Sequence, residues 1–306
     1  MYAISRNTLL AGTALAGAFV LTVSSAQAQL NTPAASPKST IQQRVGLTDV
    51  TITYSRPSLR GRKAFGGLVP YDKRWRTGAN ATTSIKFSDD VTVEGKKVPA
   101  GEYGIYTIPK KNEWIVVLNK STKQGADVDG FKDDEDVARF TVKSYMLPGL
   151  IAEKITAPKQ GKVETFTINF TDLTPATANV AMEWELTGAK FKISSDVETK
   201  VMAQIDEKVI KNASPNANDL AAAAAYYYDN DKDLKQALAW MQKANATDPK
   251  FWNVHTEAKI RLKMKDYKGA VTAAEQSKKL ALDAKNNDYA VMNDQLMVQA
   301  KKDGKL

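Results

Sequence analysis

The sequence predicts two domains of different class, an N-terminal antiparallel β-sandwich or barrel-like domain and a C-terminal all-α domain of helical hairpins. Three observations predict this β + α organisation. Apolar and polar residues alternate between residues 40 and 195, which is typical of strands with one buried face. Beyond residue 195 the apolar residues recur at helical spacing. The chain of 306 residues is also long enough for two hydrophobic cores.

The segment before these domains is predicted to be a cleavable signal peptide. Arg6 is the only charged residue before Lys38, and an apolar stretch follows it. Ala26 and Ala28 then supply the small side chains that a signal peptidase requires. The stretch is shorter and richer in small residues than a membrane anchor of ~20 apolar residues. We therefore expect an exported chain, periplasmic or secreted, with a signal peptide at 1–28, a linker at 29–39 and no membrane span after cleavage.

Composition limits the chemistry that is available to the chain. The sequence contains no cysteine and one histidine, which excludes disulfides, thiol nucleophiles and His-rich zinc sites. Neither a glycine-rich phosphate loop nor a nucleophile elbow is present. A net charge of +9 favours acidic polymers as partners, but an exported protein seldom meets nucleic acid. The sequence thus predicts no cofactor, no metal and no nucleic-acid partner, and it favours a non-enzymatic protein.

Short alternating runs predict the strands of the β domain, residues 40–195. Each run is bounded by turns rich in Gly, Pro, Asn or Asp, and eight or more such strands favour a sandwich or barrel. The runs are Val50–Ser55, Ile85–Phe87, Val91–Val93, Tyr103–Ile108, Trp114–Leu118, Phe166–Phe170, Val180–Leu186 and Phe191–Ile193.

Helical periodicity begins at Ser195. Ser195 and Glu198 have the spacing of a capping box, and an apolar stripe from Val197 to Val209 follows. This pattern predicts a connecting helix within 196–214 and a helical domain over 215–306. The helices of that domain are expected at about 217–228, 231–246, 251–264, 267–283 and 287–301.

The helical domain contains an internal repeat with a spacing of 33 residues. Small residues recur where paired helices would approach closely, so that Ala225, Ala237 and Ala244 are matched by Ala258, Ala270 and Ser277. This spacing resembles the tetratricopeptide repeat, over residues 217–283, with the last helix as a cap. An ordinary helical hairpin bundle is the alternative. Since two repeats alone are marginally stable, we expect them to pack on the β domain.

The resemblance to tetratricopeptide proteins implies a groove for an envelope protein or peptide. In such proteins one face of the first helix of each unit lines the concave surface. The corresponding residues are Asp219, Tyr226, Trp252, His255 and Lys259. The alternative is that this face packs against the β domain or faces solvent.

Several stretches of the first domain are distinctive, among them Tyr54–Pro57, Leu68–Tyr71, Trp75–Asn80 and Ala100–Tyr103. With them, residues 36–195 resemble a family of secreted bacterial proteins known as domain of unknown function 2911. The resemblance implies a location in the cell envelope and supports the domain boundaries. It implies no catalytic residue, because the family carries no established activity.

The loop from Arg56 to Asn80 is longer than the ~12–15 residues of an ordinary loop. It carries seven basic residues and a single acid, Asp72. Arginine binds carboxylate, sulfate or phosphate through two parallel hydrogen bonds. We therefore hypothesise a site for an anionic glycan at this Arg-rich loop. Its residues are Arg56, Arg62 and Arg76 to hold the anion, Trp75 and Tyr71 to stack on the ligand, and Asn80 to orient it.

A structural role for the Arg-rich loop is the competing interpretation. Its arginines would then pair with Glu183 or Glu185, and its glycines would serve tight turns. Glu183 and Glu185 are also predicted to share one face of a strand, so a glycosidase that uses this pair of carboxylates is a further alternative. The sequence thus favours a binding or interaction protein of the cell envelope. A hydrolase acting on envelope glycans and a scaffold without a small ligand are the alternatives.

Overall fold

The computed structural model describes residues 32–123, 125, 131–147 and 162–306. The predicted signal peptide, residues 1–28, lies outside the described residues. Within these ranges the chain forms eleven strands and then six α-helices. The antiparallel, barrel-like sheet followed by helices confirms the predicted fold class.

The strands begin at Lys38, two residues before the predicted boundary. Three strands have no counterpart among the predicted runs, namely Lys38–Val45, Lys96–Val98 and Asp136–Met146, although Ala138, Phe140 and Val142 alternate within the last of these. The strands are β1 (Lys38–Val45), β2 (Thr48–Ser55), β3 (Thr83–Phe87), β4 (Val91–Val93), β5 (Lys96–Val98), β6 (Gly101–Pro109), β7 (Glu113–Asn119), β8 (Asp136–Met146), β9 (Val163–Thr171), β10 (Thr177–Glu185) and β11 (Thr187–Ser195).

A single sheet runs in the order β1-β2-β3-β6-β7-β8-β11-β10-β9, with β4 paired to β11 and β5. The segment that follows β2 forms backbone hydrogen bonds with β9, at the other edge of the sheet, and so closes the barrel. The amide of Leu59 donates to the Glu164 carbonyl at 2.9 Å, and the amide of Phe166 donates to the Pro57 carbonyl at 2.8 Å. The start of the Arg-rich loop is therefore the seam of the barrel.

The inward-facing residues of the strands form one apolar core. Along β2, for example, Val50, Ile52 and Tyr54 are buried, while Thr51 and Thr53 are only partly covered. Burial of alternate residues is what the period-2 pattern predicts. The core also takes in residues of the Arg-rich loop, namely Leu59, Ala64, Phe65, Val69 and Trp75.

The connection to the helices differs from the predicted capping box by one residue. Asp196 caps the first helix by accepting a hydrogen bond from the Thr199 amide at 3.1 Å. Ser195 still belongs to β11, and its hydroxyl pairs with Thr48 at 2.9 Å. Glu198 instead forms an ion pair with Lys232 at 2.6 Å.

Five helices follow the connecting helix α1 (Val197–Ile205), which continues into one π-helical turn, Asp206–Ile210. The helix Leu234–Thr247 begins three residues later than predicted, because the carboxylate of Asp233 caps it. No helix in the described part of the chain has both the length and the apolarity to cross a membrane. The helices are α2 (Ala217–Asp229), α3 (Leu234–Thr247), α4 (Phe251–Lys263), α5 (Tyr267–Asp283) and α6 (Asn287–Gly304).

Fully buried alanines line the contacts within the helical hairpins. Ala237 and Ala244 of α3 and Ala270 and Ala274 of α5 are fully buried, and so is Ser277, the repeat counterpart of Ala244. Small side chains allow paired helices to approach closely, which is the reason for the repeat pattern in the sequence. The helical hairpins are confirmed, and the tetratricopeptide resemblance stays a prediction.

Candidate functional site

The Arg-rich loop contributes five buried side chains to the β-domain core. The backbone of Trp75 exchanges two hydrogen bonds with Thr107 of β6, at 2.8 and 2.9 Å. The loop is therefore anchored to β6 through Trp75 and to β9 through Leu59. Four of its residues, Ser58, Phe65, Val69 and Trp75, form isolated β-bridges, and the loop contains no longer strand.

The indole of Trp75 lies in an aromatic cluster and is 8% exposed. Its ring stacks on Trp184 with centroids 5.9 Å apart and an interplanar angle of 15°, and Phe166 contacts it edge-on at 4.9 Å. Its N–H donates to the Gly78 carbonyl at 2.9 Å. The stacking partner of this ring is thus another tryptophan, in the place where a ligand was hypothesised.

Two of the three hypothesised anion-binding arginines are bonded to backbone carbonyls. Arg56 donates to the Phe166 carbonyl at 3.1 Å and to the Thr167 hydroxyl at 2.7 Å, across the barrel seam. Arg62 donates to the carbonyls of Leu59 and Ser58 within its own turn. These contacts hold the loop in place.

The acids expected to pair with these arginines have other partners. Glu183 accepts a hydrogen bond from the Tyr145 hydroxyl at 2.8 Å, and Glu185 accepts one from the Ala64 amide at 2.9 Å. Burial, followed by the hydrogen bond to Glu183, raises the pKa of Tyr145. The two carboxylates therefore serve separate contacts, and they do not form a matched acid and base across a cleft.

The remaining residues of the hypothesised glycan site, Tyr71, Asn80 and Arg76, each have different surroundings. Tyr71 covers Gly66, where an added Cβ would be 2.7 Å from the tyrosine ring. Asn80 donates to the Ser36 carbonyl at 3.2 Å. Arg76 is half-buried, and its Nε has no hydrogen-bond partner among the described residues. Burial lowers the pKa of Arg76. Arg76 is therefore the member of this set with a buried polar nitrogen that lacks a partner among the described residues.

A different feature, the α1–α2 groove, lies where the helices meet the β domain. We define it as two clefts, of about 190 and 600 Å³, between α1 and α2. Val201 lines both, so they adjoin. The narrow cleft is lined by Leu47, Val201, Gln204, Ile205, Lys208, Val209, Asp219, Ala222 and Ala223. The wide cleft is lined by Pro175, Ala176, Ser195, Asp196, Val197, Glu198, Val201, Tyr226, Asp229, Asn230 and Lys232.

Each cleft lies beside one end of α1 and the opposite end of α2. The narrow cleft uses the end of α1 and the start of α2, and the wide cleft uses the start of α1 and the end of α2. The helices are therefore antiparallel along the groove. The β domain contributes at both ends, through Leu47 of the β1–β2 turn and through Pro175 of the β9–β10 turn.

The groove contains only the α2 half of the predicted partner-binding face. Asp219 lines the narrow cleft and Tyr226 lines the wide one. On α4, Trp252 is 45% exposed and contacts Phe251 edge-on. Lys259 places its ammonium 4.7 Å from the ring centroid of Tyr228. The α4 residues line neither cleft.

His255 is turned into the helical bundle and is 6% exposed. Its Nδ1 lies 2.8 Å from Oδ1 of Asn293, and the amide nitrogen of Asn293 donates to the Ser277 hydroxyl and to the Tyr289 carbonyl. A carbonyl can only accept, so the orientation of the Asn293 amide is set. Oδ1 then faces the imidazole, and Nδ1 of His255 carries the hydrogen.

The buried imidazole should make the stability of the helical domain depend on pH. Burial, with a smaller contribution from the charge of Lys259, lowers the pKa of His255. As the pH falls, His255 of the unfolded chain is protonated at about pH 6.5, whereas His255 of the folded chain is protonated only at a lower pH. Stability is thus complete above about pH 6.5 and falls as the pH drops toward the lowered folded pKa. Urea unfolding followed by circular dichroism at 222 nm should show a lower midpoint at pH 5.5 than at pH 7.

The control is His255→Gln, which keeps a donor for Asn293 and removes the titration. Because His255 is the only histidine, this variant should lose most of the change between pH 7 and pH 5.5. An equal pH dependence in the variant and the natural chain would contradict the assignment.

The described ranges contain no group of three or more His, Cys, Asp or Glu side chains placed to hold a metal ion. Sequence reasoning missed the α1 side of the groove, including Val201 and Asp196. The apolar stripe of α1 was visible in the sequence, but the helix against which it packs was not.

The comparison with known families matches the β domain. Residues 36–193 match the family described as "Protein of unknown function (DUF2911)". No curated protein and no solved structure matches the chain. The matched residues make up more than half of the chain and end just before α1, so that the helices lie outside them. The chain therefore belongs to the DUF2911 family of proteins of unknown function.

Proposed function

We propose that this chain is an exported, non-enzymatic binding protein of the cell envelope that captures a peptide segment of another envelope protein in the α1–α2 groove. The observation that carries the proposal is the pair of adjoining clefts where the helices meet the β domain. Ligand sites are found preferentially at such borders between domains. The pattern of a signal peptide at residues 1–28 supports export, to the periplasm or beyond the cell.

The dimensions of the groove suit a short segment of chain. From Asp219 to Asp229 helix α2 advances by about 15 Å, and both residues line the groove. An extended peptide covers that distance with about five residues. The walls combine apolar side chains with a few polar groups, which is the usual composition of a binding site.

Filling the narrow cleft should abolish binding. Ala222 is an exposed residue that lines this cleft, and Ala222→Trp places an indole in it. The matched control is Ala239→Trp, at an exposed alanine of α3 that lines neither cleft. Peptides would first be selected on the mature chain from a displayed random library and then measured on both variants. We expect Ala222→Trp to weaken their binding at least ~tenfold, as the loss of a buried anchor does, and Ala239→Trp to leave it unchanged.

Two results would contradict the proposal. One is that no peptide is enriched on the mature chain. The other is that the enriched peptides bind Ala222→Trp as tightly as the natural chain. Circular dichroism of both variants checks that the helices are intact.

The alternatives have less support from the geometry. A hydrolase acting on envelope glycans would need a catalytic pair, and Glu183 and Glu185 are engaged by Tyr145 and Ala64. A scaffold without a ligand would leave the two clefts without a role. An anionic glycan stays a second candidate ligand, now at Arg76 alone, because the buried Nε of Arg76 has no hydrogen-bond partner among the described residues.

A further inference from the structure

We infer that the occupant of the α1–α2 groove is an extended segment with an apolar side chain in the narrow cleft and, three residues away, a cationic side chain in the wide cleft. This inference rests on the proposed function and names the chemical class of its ligand.

The wide cleft has a local charge opposite to that of the whole chain. Three carboxylates line it, those of Asp196, Glu198 and Asp229, against one ammonium, that of Lys232. The chain as a whole has a net charge of +9. The carboxylate of Asp229 makes no close ion pair or hydrogen bond with a described residue, although its charge contributes to the raised pKa of Lys263. The carboxylate of Asp196 accepts from the Thr199 amide. Charge complementarity therefore favours a cationic partner at this end of the groove.

The chain already places one cation beside this cleft. The ammonium of Lys232 lies 2.6 Å from a Glu198 oxygen and 6.0 Å from the ring centroid of Tyr226. A carboxylate and an aromatic face thus converge on a positive charge. The side chain of Glu198 is 71% exposed, and an exposed pair of this kind contributes little to stability. An incoming guanidinium can therefore share or replace this contact at small cost.

The narrow cleft suits an apolar side chain. Leu47, Val201, Ile205 and Val209 contribute to its wall, and its volume is about 190 Å³. An apolar cavity of roughly 150 Å³ is large enough to bind benzene. A leucine or phenylalanine side chain therefore fits the narrow cleft.

The spacing between the clefts sets the spacing of the two side chains. Ala222 and Asp229 are seven residues apart on α2, which corresponds to about 10 Å along the helix. In a polyproline II segment three residues span about 9 Å, and side chains at i and i+3 point to the same side. The matching motif is an apolar residue, two spacers and a basic residue.

A defined set of peptides tests the inference. The probe is Ala-Leu-Pro-Pro-Arg-Ala, labelled with fluorescein at the N-terminus and amidated at the C-terminus. Comparison peptides carry Glu or Gln in place of Arg, or Ser in place of Leu. Fluorescence anisotropy with the mature chain should show binding of the Leu/Arg peptide at least ~tenfold tighter than that of the Glu peptide. Binding should weaken between 50 and 500 mM NaCl, because part of the attraction is between exposed charges.

Two charge-removing variants assign the effect to the wide cleft. Asp229→Asn and Asp196→Asn should each weaken binding of the Leu/Arg peptide about three- to five-fold. Asparagine at 196 keeps the cap of α1, so the helix is preserved. The matched control, Asp288→Asn on α6, should leave binding unchanged.

The outcomes separate the inference from the proposed function. Equal binding of the Arg and Glu peptides, or no binding of any peptide in the set, overturns the inference. The proposed function still stands in that case if library peptides lose binding on Ala222→Trp. If Ala222→Trp binds both the Leu/Arg peptide and the library peptides like the natural chain, the groove is not the site and both fail.

Discussion

Replacing Trp75 by alanine should lower the free energy of unfolding of the β domain by about 3–5 kcal/mol. The indole packs against Trp184, Phe166 and Phe65 in the core. Removing it leaves a cavity among large rings that are held by the barrel strands, so the site cannot easily collapse. The substitution also takes away the hydrogen bond to the Gly78 carbonyl, which helps to shape the end of the Arg-rich loop.

Urea unfolding followed by near-ultraviolet circular dichroism measures this loss. Trp252→Ala is the matched control, because Trp252 is exposed on α4, and it should change stability by less than about 1 kcal/mol. Trp75→Phe, which keeps an aromatic ring, should fall between the two and guards against a variant that does not fold. Equal stability of Trp75→Ala and Trp252→Ala would show that Trp75 is not a core residue, and the stacking hypothesis for a glycan would regain its basis.

Replacing Asn293 by leucine should destabilise the helical domain by about 2–3 kcal/mol. Asn293 is fully buried and joins His255 of α4 to Ser277 of α5. Leucine has the same side-chain branching as asparagine but cannot accept the hydrogen bond from His255. A buried N–H would then lose its partner, and its desolvation would no longer be offset.

Thermal or urea unfolding followed at 222 nm measures this second effect. Gln295→Leu, at an exposed position of α6, is the matched control and should stay within about 0.5 kcal/mol of the natural chain. The same stability in both leucine variants would mean that the link between the helices contributes nothing. Asn293→Asp should retain more of the stability than Asn293→Leu, since aspartate keeps an acceptor for the hydrogen bond from His255.

Much of the architecture could be predicted because the type of each strand or helix depends on the local periodicity of apolar residues. Alternation along Val50, Ile52 and Tyr54 identifies a strand without knowledge of its neighbours. The same alternation is present in β8, at Ala138, Phe140 and Val142, although β8 is not among the predicted runs. The observed helix starts differ from the predicted ones by a few residues, because several neighbouring polar residues can serve as the N-cap. In the structure the caps are Asp196 and Asp233.

The candidate site could be predicted far less well, because the same side chains serve both structure and binding. Trp75 has the chemistry of a stacking platform, yet it packs on Trp184, which is more than a hundred residues away. Arg56 has the chemistry of an anion ligand, yet it closes the barrel at Phe166. His255 has the register of a groove residue, yet Asn293 binds it inside the bundle.

The sequence by itself determined the two halves of this protein and the type of each secondary element. These depend on which residues within a few positions share a face. Only the tertiary structure decided that Leu59 pairs with Glu164 to close the barrel and that α1 lies along α2 to form a groove. The physical reason is that these contacts join segments far apart in the chain. Periodicity identifies a face that must be buried, but it does not say against what.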